Sequence, residues 1–262
     1  MPKSSTPKTV ESTYGIAAIE AGLRVLEIVS ERPNLSSAEL SELTGMTRTK
    51  VFRVLRTLEA LGYVTLQKDR RAVLGRSAYL LGRRAEQQYS LVQAARSVMD
   101  ELAAESQENV HLVIREGLHS LVVDLRESNQ PVRMYAEIGR RGPLHAGGSP
   151  KVLLAHAPAQ IIAEVLSGEL VRYTAQTVTE PAQLERTLAD IRGLGYHTAL
   201  SDLDDGTYSV AAPIYNDEGE VTASISLAGP LMRWNDTVQQ TFEERIVEAS
   251  RAISQELGWS PG

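Results

Sequence analysis

The stretch "SSAELSELTGMTRTKVFRVLRTLEALGYVTLQKDRRAVLG", residues 36–75, constrains the fold more than any other part of the chain. Ser36 with Glu39 three residues later has the spacing of a capping box, which starts a helix, and Gly45 is placed to stop it. After a tight turn Thr47 caps a second helix, on which Val51, Val54, Leu55, Leu58 and Leu61 recur at the 3.6-residue period of one apolar face. Two short strand patterns then flank the polar turn "QKDRRA". Upstream, Ile19, Leu23, Leu26 and Val29 form a helical stripe that ends near Pro33. Three helices followed by a β-hairpin make the winged helix-turn-helix arrangement.

The third helix has a second face, made by Thr49, Phe52, Arg53 and Arg56, with Arg48 at its N-terminal edge and Lys50 on its flank. On an isolated helix such a face is simply solvated. In this arrangement it is the face that enters the major groove of double-stranded DNA, where arginines one turn apart reach base edges or phosphates. Lys68, Arg70 and Arg71 on the hairpin turn are expected over phosphates, and Ser36 and Thr47 complete the candidate DNA-contacting set. Charge supports this polarity. Residues 1–90 hold 14 Lys and Arg against 9 Asp and Glu, a balance of +5, whereas the other 172 hold 13 against 24, or −11. A basic front on an acidic back directs only the front toward a polyanion.

At 262 residues the expectation is two domains: a disordered tail at 1–14, a winged helix-turn-helix at 15–76, a helical linker at 77–89, and a second domain at 90–262. The absence of Cys excludes disulfide frameworks and thiolate metal sites. No apolar run approaches the 18 or so residues of a membrane span and no secretory leader is evident, so a cytoplasmic protein is expected. In the second domain Leu91, Ala95, Val98 and Leu102 mark a core-facing helix. Strands are expected on both sides of "REG" and at "VRMYAEI", a helix from Pro181 to Gly195, a hairpin around "NDEG", and a last helix from about Asn235 to Leu257. Strands first and last with helices between imply an α+β domain, an antiparallel sheet faced by helices.

The stretch "GPLHAGGSPKVLLA", residues 142–155, crowds His, Gly, Ser and Lys together. A phosphate-binding loop requires Gly-Lys followed by Ser or Thr, but Lys151 follows Pro150 and precedes Val152. A serine nucleophile on a sharp elbow requires Gly-x-Ser-x-Gly, and Pro150 interrupts that too. The loop then reads as a helix start, with Ser149 as cap, Pro150 in the first position, and Gly147 and Gly148 letting a ligand approach unpaired N–H groups. His145 is expected to hold backbone groups. The five histidines show no metal-ligand spacing, although His111 and His119 could meet across their hairpin; they read as core or surface residues, with no metal or other cofactor expected.

The runs "GLRVLEIV", residues 35–64, "VLGRSAYLLG", "GPLHAGGSPKVLLA", "IRGLGY", "VAAPIYNDEGEVTASISLAGP" and "SQELG", in this order over residues 16–258, resemble the IclR family of bacterial transcription regulators. The resemblance implies a C-terminal GAF-like or PAS-like effector-binding and oligomerisation domain, and a homodimer or dimer of dimers on a pseudo-palindromic operator. It also implies a small organic-acid effector that controls a repressor of a catabolic operon. Carried over by motif, the effector site comprises Gly148 and Ser149 as backbone donors, Met134 as an apolar wall, and Asp202, Ser209 and Ser226 as polar contacts. Ala228 stands where many relatives have Ser. The chain is read as a non-enzyme; the alternatives are an enzyme with an appended winged helix, using Ser149 or Asp202, and a ligand-independent DNA-binding protein.

Overall fold

A computed structural model describes residues 16–88 and 90–260, which fall into two compact units divided at residues 88 and 89. The tail expected at 1–14 lies outside the described residues.

In the first unit, α1 (Ala17–Glu31), α2 (Ser37–Thr44) and α3 (Arg48–Ala60) are followed by the hairpin β1 (Val64–Leu66) and β2 (Ala72–Leu74), then α4 (Arg76–Gln88). Both halves of the capping box at Ser36 and Glu39 form, and Gly45 ends α2 in the left-handed region at φ 70°. The Thr47 hydroxyl accepts from Lys50 N at 3.3 Å at the start of α3. Val25, Val29, Leu40, Val51, Leu55, Leu58, Val64 and Ala72 form the core. The α1 stripe is a correction: Ile19 and Leu23 are each 56% exposed, and Ala21 and Val25 take the buried face with Val29. The helix is apolar on two sides, and its packing against α3 and β2 covers only one.

The second unit is built on a six-stranded antiparallel sheet, ordered β5-β4-β3-β8-β7-β6. Its strands are β3 (Asn109–Glu116), β4 (His119–Arg126), β5 (Arg141–Pro143), β6 (His197–Leu200), β7 (Thr207–Tyr215) and β8 (Val221–Pro230). Because strand residues alternate faces, Val110, Leu112, Val210, Ala212, Ile214, Ile225 and Leu227 share one core with α5 (Ser90–Ser106) and α9 (Asp236–Glu256). On the other face Val113 and Ala211 pack with α6 (Gly148–Ala155) and α8 (Pro181–Leu194), and α7 (Ala159–Ser167) supplies partly buried residues.

"VRMYAEI" is not a strand. It follows Pro131, exposes Val132, Tyr135 and Ile138, and has the Met134 carbonyl occupied by the Asn109 amide at 3.0 Å. The edge beside β4 is taken instead by β5. Nor do His111 and His119 meet: the register pairs His111 with Leu125 and His119 with Glu116.

Candidate functional site

In the first unit α3 buries Val51, Leu55 and Leu58, which leaves Arg48, Thr49, Lys50, Phe52, Arg53 and Arg56 exposed together. Phe52 stays 48% exposed, uncommon for so large an apolar side chain with polar neighbours. Arg56 makes a 2.7 Å ion pair with Glu59 one turn on, a solvated contact that holds the guanidinium weakly. Lys68 and Arg70 are exposed at the hairpin tip, and Arg70 adopts φ 61° in the turn. Arg71 is directed elsewhere: its guanidinium donates to the Asn34 carbonyl at 2.6 Å and reaches Glu39 at 3.2 Å, tying the hairpin to the start of α2. The Ser36 and Thr47 hydroxyls are likewise engaged as helix caps.

The second unit encloses a cavity of about 300 Å³ between the α6 face of the sheet and the loops around it. Met134, Gly148, Ser149, Asp202, Ser209 and Ser226 all lie on its wall, although they come from five separate places in the sequence. His111, Val113, Ser120, Val122 and Tyr173 complete much of the lining, with Arg140 exposed at the edge.

The first turn of α6 forms one wall, and here the structure corrects the sequence reading. Gly147, not Ser149, is the N-cap, at φ 95°, where a side chain would be strained. Its N–H donates to Asp202 Oδ2 at 2.6 Å. The Gly148 N–H donates to the Ser209 hydroxyl at 3.1 Å, so it is not free for a ligand. A Cβ on residue 148 would stand 2.1 Å from that hydroxyl, which is why glycine is required. Pro150 has no N–H, and the Ser149 N–H has no acceptor among the described residues. The Ser149 hydroxyl shares a 3.3 Å hydrogen bond with that of Ser224.

Behind this turn lies a pair that sequence reading missed. Lys151 Nζ stands 2.8 Å from Asp202 Oδ2, both side chains almost wholly buried. The loop carrying Asp202 is held from outside by Thr177, whose hydroxyl donates to the Asp202 carbonyl at 2.7 Å, and by Thr174, which donates to that of Ser201 at 2.5 Å. Asp202 therefore lines the cavity while its Oδ2 serves the helix start. His145 is buried with Nε2 2.9 Å from the Val171 carbonyl, and its ring lies 5.9 Å from that of Tyr173. Burial, with the Arg140 charge adding to it, lowers the His111 pKa to about 4; burial, and then Lys151, lowers that of His197 to about 4. Both imidazoles are neutral at pH 7.

Among the described residues no group of three or more His, Asp or Glu is placed to hold a metal ion, and no helix is long and apolar enough to cross a membrane. A second, shallower hollow of about 710 Å³ beside α9 is edged by Glu243, Glu244 and Glu248.

Two family models cover this architecture: the IclR helix-turn-helix domain matches residues 18–68, and the bacterial transcriptional regulator IclR C-terminal domain matches residues 84–255. The chain belongs to the IclR family. It is 31% identical over 239 residues to the HTH-type transcriptional regulator KipR of Bacillus subtilis, covering 91% of this chain and 96% of KipR. It is 30% identical over 237 residues to KdgR of Escherichia coli, 90% of each. Among solved structures, an IclR homologue of Microbacterium hydrocarbonoxydans complexed with 4-hydroxybenzoate superposes with a TM-score of 0.84 at 27% identity, over 92% of this chain and 99% of that one. An IclR regulator of Alicyclobacillus acidocaldarius, 24% identical over 94% of this chain and 100% of its own, shares the fold with a TM-score of 0.86. This IclR-family regulator thus combines a DNA-binding helix-turn-helix with an effector-binding C-terminal domain.

Proposed function

We propose that the protein is a cytoplasmic repressor of a catabolic operon that binds a pseudo-palindromic operator as a homodimer or dimer of dimers and is released by a small organic acid. In this reading residues 15–76 bind DNA, 77–89 link, and 90–262 bind effector and oligomerise. The carrying observation is the 300 Å³ cavity closed on one side by the first turn of α6. Its volume sits at the small end of ligand pockets, which run from about 300 to 1,000 Å³. The unpaired Ser149 N–H and the helix dipole favour a carboxylate there. Support for repression comes from relatives named repressors, among them AllR of Klebsiella pneumoniae at 29% identity, and for an acid from the relative solved with 4-hydroxybenzoate.

His145 is engaged with the Val171 carbonyl and the Ser149 hydroxyl with that of Ser224, which leaves His145 no part in activating Ser149. The protein in this reading returns its ligand unchanged, and regulation requires only that the acid bind one arrangement of the paired DNA-binding units more tightly than the other.

The test is a thermal-shift screen of keto, hydroxy, sugar and aromatic acids on the full chain, followed by operator release with the best binder. Ser149→Trp fills the cavity and abolishes both responses while the fold persists. An intact response in that variant places the ligand elsewhere, and turnover of the acid would favour the enzyme reading.

A further inference from the structure

On α3 a phenyl ring stands in water among cations. Phe52 is outside the apolar cluster that Val51, Leu55 and Leu58 build with the rest of the first unit. Residues three and four apart are neighbours on a helix surface, so Arg48 and Thr49 stand one turn before Phe52 and Leu55 and Arg56 one turn after. Leu55 is buried, and the other three, with the adjoining Arg53, are exposed. Among the described residues Phe52 meets no other aromatic ring, and Arg48, Lys50 and Arg53 form no ion pair. The chain's other phenylalanine, Phe242, packs beside Tyr208 against the core of the second unit. Single apolar residues are ordinary on protein surfaces. What marks Phe52 is that its exposed neighbours are all polar and three of them are arginines.

We propose that Phe52 reads a thymine in the operator by packing against its 5-methyl group, which makes it a specificity-determining residue of the DNA-binding unit. The proposal rests on α3 entering the major groove. There the base edges present hydrogen-bond donors and acceptors, and the thymine methyl is the apolar group among them. A phenyl ring cannot make the hydrogen bonds that guanine, adenine or cytosine edges require, so against them it covers polar atoms with nothing in return. Against the methyl, both partners remove apolar surface from water.

The position of the ring and the chemistry of its neighbours fit this division of labour. Phe52 is the fifth of the thirteen residues of α3, in the N-terminal half of the helix, the part of a recognition helix that meets base edges. The arginines neutralise phosphates, and that attraction acts on any sequence. Phe52 carries no charge, so it adds affinity only where the methyl is present.

Duplexes with a randomised core, selected for binding to the full chain, supply the probe. In the selected sequence each thymine is replaced singly by deoxyuridine, which pairs with adenine as before and lacks only the methyl. Affinity read by fluorescence anisotropy at fixed salt falls about fourfold at the thymine facing Phe52, the factor for burying one methyl group. Phe52→Ala binds the thymine and deoxyuridine duplexes alike, and Phe52→Leu, which keeps an apolar side chain, retains part of the discrimination. Because the ring is exposed, neither variant disturbs the core. Phe52→Ala also leaves the slope of log affinity against log salt unchanged, since the ring neutralises no phosphate. If no deoxyuridine position weakens binding, or if Phe52→Ala keeps the discrimination, the assignment is overturned. A Phe52→Ala chain that dissociates in sedimentation yet still discriminates gives the ring to a protein contact and overturns it as well. Arg53→Ala separates the two readings. If it weakens binding while deoxyuridine has no effect, α3 stands in the groove and Phe52 alone is misassigned. If neither variant changes affinity, or no duplex is selected, α3 does not read DNA and both readings fall.

Discussion

Replacing Asp202 with Asn strands a buried lysine, and the size of the effect can be bounded from the site. Asp202 Oδ2 is 2.8 Å from Lys151 Nζ and 2.6 Å from the Gly147 N–H. Removing one partner of a buried ion pair costs about 3–5 kcal/mol, because the remaining charge stays desolvated. Asparagine can still accept from Gly147 N–H, so the loss is electrostatic, about 3–4.5 kcal/mol. Lys151→Met strands Asp202 in the same way at a similar cost. The double variant leaves no buried charge, and its loss falls short of the sum of the singles by about 3 kcal/mol. Urea unfolding followed by tryptophan fluorescence measures this cleanly, because the chain's two tryptophans, Trp234 and Trp259, both lie in the second unit. With an m-value near 2 kcal/mol/M, each single variant moves the midpoint by about 2 M. Singles that cost under about 1 kcal/mol, or that add with a coupling below about 0.5 kcal/mol, refute the idea that these charges hold each other in the interior.

Three further outcomes are expected. Gly148→Ala forces the Ser209 hydroxyl away from a Cβ that would stand 2.1 Å from it, breaking the hydrogen bond that fixes the α6 start; stability falls by about 1–3 kcal/mol and acid binding weakens at least tenfold, read by calorimetry. Arg53→Ala and Arg56→Ala each lower the slope of log affinity against log salt by about one if the arginine contacts phosphate, whereas unchanged operator affinity removes α3 from the interface. His111 and His197 have folded pKa values near 4 against about 6.5 unfolded, so the unfolded chain takes up more protons between those values. Stability is therefore full above about pH 6.5 and falls toward pH 4 by at most about 3 kcal/mol per histidine; His197→Phe flattens that fall, measured as urea midpoints across the range.

The sequence by itself determined the local architecture. Ser36 with Glu39, Thr47, Gly45, Pro181 and Gly195 act within a turn or two of where they stand, so their spacing set helix boundaries without reference to the rest of the chain. The three hairpins were legible for the same reason, as was the exposed side of α3, because Val51, Leu55 and Leu58 fix which side is left. The residues of the cavity wall came from family resemblance; their spacing alone does not bring them together.

Only the tertiary structure decided what each group does there. Periodicity reports that a face is apolar but not whether anything covers it, so Ile19 and Leu23 read as core and are exposed, and 132–138 alternates like a strand yet pairs with nothing in the sheet. Ser149 is a residue type that caps helices, but Gly147 could take the positive-φ conformation that the turn needs, and the helix begins two residues earlier. Lys151 meets Asp202 from 51 positions away, and His111 meets Ser226 from 115. Contacts at such separations follow from how distant elements pack against one another, and no local spacing encodes that. The Lys151–Asp202 pair joins a helix to a loop and the His111–Ser226 pair joins two strands, and both depend on how distant segments pack.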